Sequence, residues 1–267
     1  MKTRRNNLGD DLNIDFLEPL FGKSIIKAEY GLLPISKTYS FIGSILEYVC
    51  KQSEKVIVWG SGFKYEHNDL KESDINKNEY LAVRGPLTRD IILKAGGICP
   101  KVYGDPGILI SKYVKIEIEK RYKFGLVPHK LELKSKIISE LKKIEGVHII
   151  DVTQDKSWKD TLIEINECEI ILSSSLHGLI IADSYQIPNL WVRFTDYTDG
   201  GGFKYADYYG GICRSPKCLD LTKEFDVELI SNELAGWMPP VVNPDFEKSC
   251  PFTIQQEPII LGTDNKK

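Results

Sequence analysis

Short β-branched apolar runs recur along the chain, each followed by a polar or glycine-bearing turn and then by residues at helical spacing. The clearest run is Val56-Ile57-Val58-Trp59, which enters Gly60-Ser61-Gly62. Another is Ile170-Ile171-Leu172, which enters Ser173-Ser174-Ser175 and then Leu176-His177-Gly178-Leu179-Ile180-Ile181-Ala182. Runs this short, bounded by turn residues, predict buried strands. Leu179, Ile180 and Ala182 predict a helix that Gln186-Ile187-Pro188 ends. The same reading predicts strands at 24–29, 80–83, 122–127, 147–152 and 189–194, with a short strand and turn at 102–110. It predicts helices at 39–50, 86–94, 131–144, 158–168 and 225–234, and a polar surface loop at 66–78. Asp10 or Asp11 is expected to cap a helix running through Phe16 and Leu17.

Alternating strands and helices argue for an α/β fold with parallel sheet and helices on its faces. A chain of 267 residues suits one large domain or two compact ones. Charge density rises over residues 112–123, and the expected boundary lies there. The units so defined are 1–118, 119–236 and an irregular, proline-rich tail at 237–267.

Composition narrows the function classes. The net charge of -3 carries no general nucleic-acid signal. The six cysteines form no CxxC and the four histidines are scattered, so no zinc pattern arises. Cys213 and Cys218 are close enough to pair or bind metal, but the partner residues a metal site needs are missing around them. Scattered thiols fit a reducing compartment. No run approaches the roughly 18 apolar residues that cross a bilayer, and residues 1–7 hold no apolar signal segment. A cytoplasmic protein is expected, with peripheral contact at a membrane left open. Gly60 and Gly62 supply only part of a dinucleotide fingerprint. No third glycine or strand-end acid follows at the right spacing, which argues against a nicotinamide cofactor.

The candidate chemistry sits at strand ends. Serines at a strand-to-helix turn can cap the helix, or they can leave backbone N–H groups free to meet an anion at its positive end. His177 stands there at the carboxyl edge of a sheet, where open α/β folds place ligands. A structural cap and a structural histidine account for the stretch equally well. Arg84 ends another strand, ahead of Gly85 and of Pro86 at a first helical position, and Asp105 is a further strand-end carboxylate. The segment Asn6-Asn7-Leu8-Gly9-Asp10-Asp11-Leu12-Asn13 reads as a turn and cap, or as a loop that holds sugar hydroxyls. Gly200-Gly201-Gly202 predicts a mobile run ahead of Phe203.

In order, the chain carries Asn7-x-Gly9-Asp10-Asp11-Leu12-Asn13, Gly60-Ser61-Gly62, Val83-Arg84-Gly85-Pro86-Leu87-Thr88 and Gly104-Asp105-Pro106-Gly107. Val127-Pro128-His129, Ser173-Ser174-Ser175-Leu176-His177-Gly178 and Lys204-Tyr205-x-Asp207-Tyr208-Tyr209 follow. Together these pieces resemble the polysaccharide pyruvyl transferase family, most of all its branch in bacterial exopolysaccharide assembly. The resemblance implies two Rossmann-like domains, similar to the B-type glycosyltransferase fold, with the active site in an interdomain cleft. It implies transfer of a pyruvyl group from phosphoenolpyruvate to two hydroxyls of one sugar, typically in a lipid-linked repeat unit. A cyclic ketal forms and phosphate leaves, with no redox cofactor and no metal.

Donor and acceptor then require particular groups. A carboxylate and a phosphate need cations and N–H donors. Arg84, Ser174, Ser175, Leu176, His129, Arg193 and Lys204 are the donor-side candidates. His177 is expected to handle the proton, with His129 as second choice. Asp10 or Asp11 is expected to serve as base toward the sugar or to bind it, alongside Asn7, Gly9, Asn13, Gly62 and Asp207. In some relatives arginine precedes Leu-His where this chain has Ser175, so the donor's charge must be met elsewhere. A nucleotide-sugar glycosyltransferase shares the cleft and the helix-start phosphate site. A non-catalytic carbohydrate-binding protein is a third reading.

Overall fold

The computed structural model describes residues 8–25, 37–67, 69–153, 157–197, 199–255 and 257–262, and omits the side chains of residues 10, 11, 199 and 200. The first half holds a parallel sheet in which β1 (Thr38–Ser40), β2 (Val56–Trp59) and β3 (Glu79–Ala82) pair in that order. A parallel bridge between Val83 and Tyr103 continues its edge. The next strand, β4 (Val114–Glu117), precedes a second parallel sheet. That sheet comprises β5 (Tyr122–Val127), β6 (Val147–Ile149), β7 (Cys168–Ser173), β8 (Asn189–Arg193) and β9 (Cys218–Asp220), ordered β6-β5-β7-β8-β9.

This order reverses direction between β5 and β7, as in flavodoxin-like doubly wound sheets. Val127 and Ser173 are register partners at the carboxyl ends of those two strands. Ligands of open parallel sheets bind at such a switch point, because the loops leave on opposite faces and open a crevice. The fold thus brings Val127-Pro128-His129 and Ser173-Ser174-Ser175 to one spot.

Alternation along each strand sends side chains to two faces. In β2, Val58 enters a cluster with Phe63 and Tyr80, and Trp59 enters a much larger one. In β7, Leu172 joins Leu126 and Val192, whereas Ile171 joins the larger cluster. That larger core unites Leu8 and Leu12 of the first helix, Trp59 and Ala82 of the first sheet, and Ile180 and Tyr205 of the second half.

The segment after Trp237 returns to the first half. Phe246 stacks on Trp59 at 4.7 Å and accepts its indole N–H at 3.0 Å through the backbone carbonyl. Phe252 packs against Phe21, Tyr39 and Phe41. A last strand, β10 (Ile259–Gly262), pairs in parallel with β4.

Helices Pro86–Lys94 and Leu176–Ser184 lie where spacing predicts them. Others differ for local reasons. Residues 39–50 hold β1 and a short helix, Leu46–Val49, because Tyr39 and Phe41 favour a pleated surface and Gly43 turns the chain at φ +127°. The expected loop at 66–78 contains a helix, Glu72–Asn76. The expected helix at 131–144 shrinks to Lys136–Leu141, capped by Ser135, because Glu132 turns inward. The first helix, Leu8–Asp15, begins ahead of Asp10 and Asp11, so those residues stand inside it and do not cap it. The glycine run forms a single 3-10 turn, Asp199–Gly202, leading into helix Phe203–Gly211. Most of the expected strand at 24–29 lies outside the described residues.

Candidate active site

Helix Leu176–Ser184 starts where β7 ends. Its N-cap, Ser175, makes no side-chain cap bond, so that hydroxyl is not used to satisfy the helix's first N–H groups. The other two serines are committed elsewhere. Ser173 accepts the Ser175 N–H at 3.0 Å, and its hydroxyl lies 3.0 Å from the Val127 carbonyl oxygen. Ser174 accepts the His129 N–H at 2.9 Å and donates its own hydrogen to Glu132. Ser174 is therefore a brace of the turn, whereas the Ser175 hydroxyl, on a half-buried residue, makes no cap bond. Leu176 is buried beneath it.

His177 is half-buried, and its Nε2 is the sealed end, with no hydrogen-bond partner among the described residues. The ring packs closely against Gly9. A Cβ at Gly9 would fall 2.1 Å from His177 Cε1, so only glycine lets the first helix approach so closely. Asn13 docks that helix: its amide donates to the Gly9 and Ile42 carbonyls at 3.0 and 2.8 Å and accepts the Ile42 N–H at 3.0 Å. Thus Asn13, expected on the acceptor, positions Gly9. Asn7 lies outside the described residues, as do the Asp10 and Asp11 side chains.

Two cations act on the imidazole through their fields. Burial, then the charges of Lys204 and Arg84, pull His177 down to about 3, so the ring is neutral at physiological pH. Lys204 is buried on the helix Phe203–Gly211, with its ammonium 5.1 Å from the Tyr205 ring centre. Tyr205 stacks on Trp191 at 4.4 Å and donates to the Ser174 carbonyl at 2.6 Å, which ties this helix to the turn after β7.

Arg84 is completely buried. Its Nε donates to Asp207 Oδ2 at 3.0 Å, its Nη2 to the Phe63 carbonyl at 2.6 Å, and its Nη1 to Ser44 Oγ at 2.5 Å. Asp207 also accepts the Thr88 N–H at 2.8 Å and hydroxyl at 2.7 Å. Asp207, expected on the acceptor, is fully buried and bonded within the protein. Two glycines make room for this pair. A Cβ at Gly62 would lie 2.5 Å from Arg84 Cζ, and one at Gly85 would lie 1.8 Å from the Asp207 carbonyl oxygen. The Gly62 expected on the acceptor is therefore a seat for the guanidinium.

The second-choice histidine, His129, stacks on Tyr197 at 5.2 Å beside the Ser174 turn. Arg193 pairs with Asp220 on β9 at the exposed rim. Asp105 sits deeper. Its Oδ1 accepts the Gly107 N–H at 2.9 Å, and its Oδ2 is sealed without a partner among the described residues. Burial pushes its carboxyl up to about 7 against the opposing pull of Gly107 and Arg84.

Sequence reasoning passed over Glu132, Thr88 and the role of Asp105. Glu132 falls in the helix expected at 131–144, and nothing in the sequence marks that glutamate as buried. Among the described residues, no three metal-ligating side chains converge, and no helix is long and apolar enough to cross a membrane.

The assembled site is a neutral imidazole and an uncapped hydroxyl at a helix start, with two buried cations in electrostatic reach. Such a place attracts an anion and can exchange a proton with it. Comparison with known proteins agrees in kind. The chain is 28% identical over 218 residues to the succinoglycan biosynthesis protein ExoV of Rhizobium meliloti (strain 1021), covering 78% of this chain and 62% of that protein. It is 28% identical over 193 residues to the uncharacterized protein L143 of Acanthamoeba polyphaga mimivirus, covering 70% of this chain and 64% of that one. The chain thus spans less than two thirds of the length of these relatives. Residues 27–194, well over half of the chain, match the family model for polysaccharide pyruvyl transferase, and the chain belongs to that family.

Proposed function

We propose that the protein transfers a pyruvyl group from phosphoenolpyruvate to two hydroxyls of a sugar in a polysaccharide or its lipid-linked repeat unit. The observation that carries this reading is the neutral His177 at a helix start, its Nε2 without a partner among the described residues and in the field of Lys204 and Arg84. Family membership and the relative named for succinoglycan biosynthesis support the polysaccharide acceptor.

The chemistry needs one acid and one base. In the first step a sugar hydroxyl adds to the central carbon of the donor while the methylene carbon takes a proton. In the second, a neighbouring hydroxyl of the same sugar displaces phosphate from that carbon and closes the ketal. Lys204, the helix start and Ser175 hold the donor's anionic groups, and Arg84 adds positive potential from behind. Leu176, His129 and Arg193 border the donor. The donor's charge offsets the two cations, raises the proton affinity of His177 and lets the imidazole carry the proton it delivers. Asp10 or Asp11, on the helix that Gly9 seats against His177, takes the proton from the sugar, and Asn7 binds the acceptor.

In this reading the two parallel sheets belong to two Rossmann-like domains arranged as in B-type glycosyltransferases, with the acceptor entering between them. The protein works at the cytoplasmic face of the membrane, where lipid-linked acceptors present their sugars, and needs no cofactor beyond the donor.

The test is incubation with phosphoenolpyruvate and lipid-linked or free oligosaccharides. Equimolar phosphate release and addition of one pyruvyl ketal to the glycan, read by mass, are expected. Stabilisation by nucleotide sugars and none by phosphoenolpyruvate would instead favour a glycosyltransferase.

A further inference from the structure

We infer that Glu132 is the positioning residue of this site, fixing the loops after β5, β7 and β8 and acting on the His177 helix through Ser174. The inference rests on the proposed function for its kinetic readout and on geometry for the rest. Glu132 is 1% exposed, on the turn that leaves β5. Its Oε2 accepts the Ser174 hydroxyl and, at 3.3 Å, the His129 N–H. Its Oε1 accepts the Thr195 N–H at 3.1 Å and hydroxyl at 2.9 Å. These donors come from three loops at the carboxyl edge of the sheet, on both sides of the switch point.

Ser174 relays the restraint. Its hydroxyl bonds His129 and Glu132, its N–H donates to the Val127 carbonyl at 3.2 Å, and its carbonyl accepts the Tyr205 hydroxyl. The helix carrying His177 begins two residues later. All four bonds run toward the carboxylate, which a group with acceptors on both oxygens alone can satisfy. Glutamine cannot replace it, because its NH2 must face the N–H of either His129 or Thr195. Aspartate keeps the charge but is one methylene too short to reach all three loops.

The experiment compares full-length wild type with E132Q, E132D, S174A and the E132Q/S174A double variant. With phosphoenolpyruvate and acceptor, kcat in E132Q is expected to fall about 10–100-fold, the scale of a site displaced by an ångström. The donor KM should change far less, and E132D should recover part of the loss. The double variant should be no worse than the poorer single one, because both substitutions break one relay. Additive losses, or wild-type kinetics in folded E132Q, overturn the inference. Hydrogen exchange at the Thr195, His129 and Leu179 amides gives an answer without substrate, Leu179 being the first amide of the His177 helix to bond, to the Ser175 carbonyl: exchange should rise in E132Q while core amides keep their protection. Unchanged exchange at those amides overturns it. If E132Q does not fold, S174A decides by the same amides at His129 and Leu179. A wild-type protein that releases no phosphate from phosphoenolpyruvate sinks the functional reading, and exchange still decides the role of Glu132.

Discussion

Two sets of buried titratable groups in this molecule are built on opposite plans. Around Arg84 and Asp207, guanidinium and carboxylate are matched by Ser44, Phe63 and Thr88. Around His177 and Asp105, one imidazole nitrogen and one carboxyl oxygen are sealed with no partner among the described residues. Buried polar groups are costly to leave unmade, so an unmatched atom beside a matched network points to a group kept for a ligand or a proton. The matched pair therefore holds two parts of the chain together and lends its field. Of the two unmatched groups, His177 is the one to which the proposed reaction gives the proton.

The comparison breaks first at His177. His177→Gln is expected to lower phosphate release from phosphoenolpyruvate by about 10²–10⁴-fold, the range for removing a positioned acid or base. Its unfolding midpoint in denaturant should stay at or above that of wild type, because Nε2 has no partner among the described residues to lose. A variant that keeps normal turnover would remove His177 from the reaction. Asp207→Ala should behave in reverse. It leaves a buried guanidinium unpaired and should cost about 3–5 kcal/mol of stability, read by urea unfolding. A well-folded Asp207→Ala protein that merely fails to bind the acceptor would return Asp207 to the acceptor site.

Gly9→Ala tests the seam between the first helix and the ring. The added methyl meets His177 at 2.1 Å and must move the ring or the helix. Overpacking of this kind costs about 1–3 kcal/mol. Activity should fall with it, since Gly9 is the surface that holds the imidazole. Activity kept at wild-type level would show that the ring is free to take another position.

Much of this was legible in the chain. Short apolar runs ending in turns marked β2, β5, β7 and β8, because buried parallel strands need continuous apolar side chains. Pro86 and Ser175 marked helix starts, and the ordered motifs marked the family. The roles inside the motifs were not legible. Asn13, Gly62 and Asp207 look like ligand residues in sequence, yet they seat other motif residues, and only the partner's identity reveals it. Glu132 was hidden for the same reason: its burial follows from Ser174 and Thr195, which are 42 and 63 positions away. The pairing of β4 with β10 joins segments too far apart for any local pattern to announce.

The sharpest test of the unmatched pair is the pH dependence of stability. Asp105 is raised to about 7 in the folded protein, so its stabilising proton is present at low pH and lost as pH climbs through 7. His177 is lowered to about 3, so folding must exclude a proton that the unfolded chain binds below about 6.5, and stability falls as pH drops through that range. Between roughly pH 4 and 6.5 the two effects cancel. The unfolded chain carries one proton on the histidine, and the folded protein carries one on the aspartate. These two groups then give wild type no slope in that window. Asp105→Asn should expose the histidine term, with its stability rising toward neutral pH relative to wild type. His177→Gln should expose the aspartate term and fall over the same range. Each slope is bounded by about 1.4 kcal/mol per pH unit, the value for one proton. Urea unfolding at pH 4.5, 5.5 and 6.5 measures both. Parallel curves for the three proteins would mean that neither group is held in the unmatched state, and the contrast with Arg84 and Asp207 would collapse.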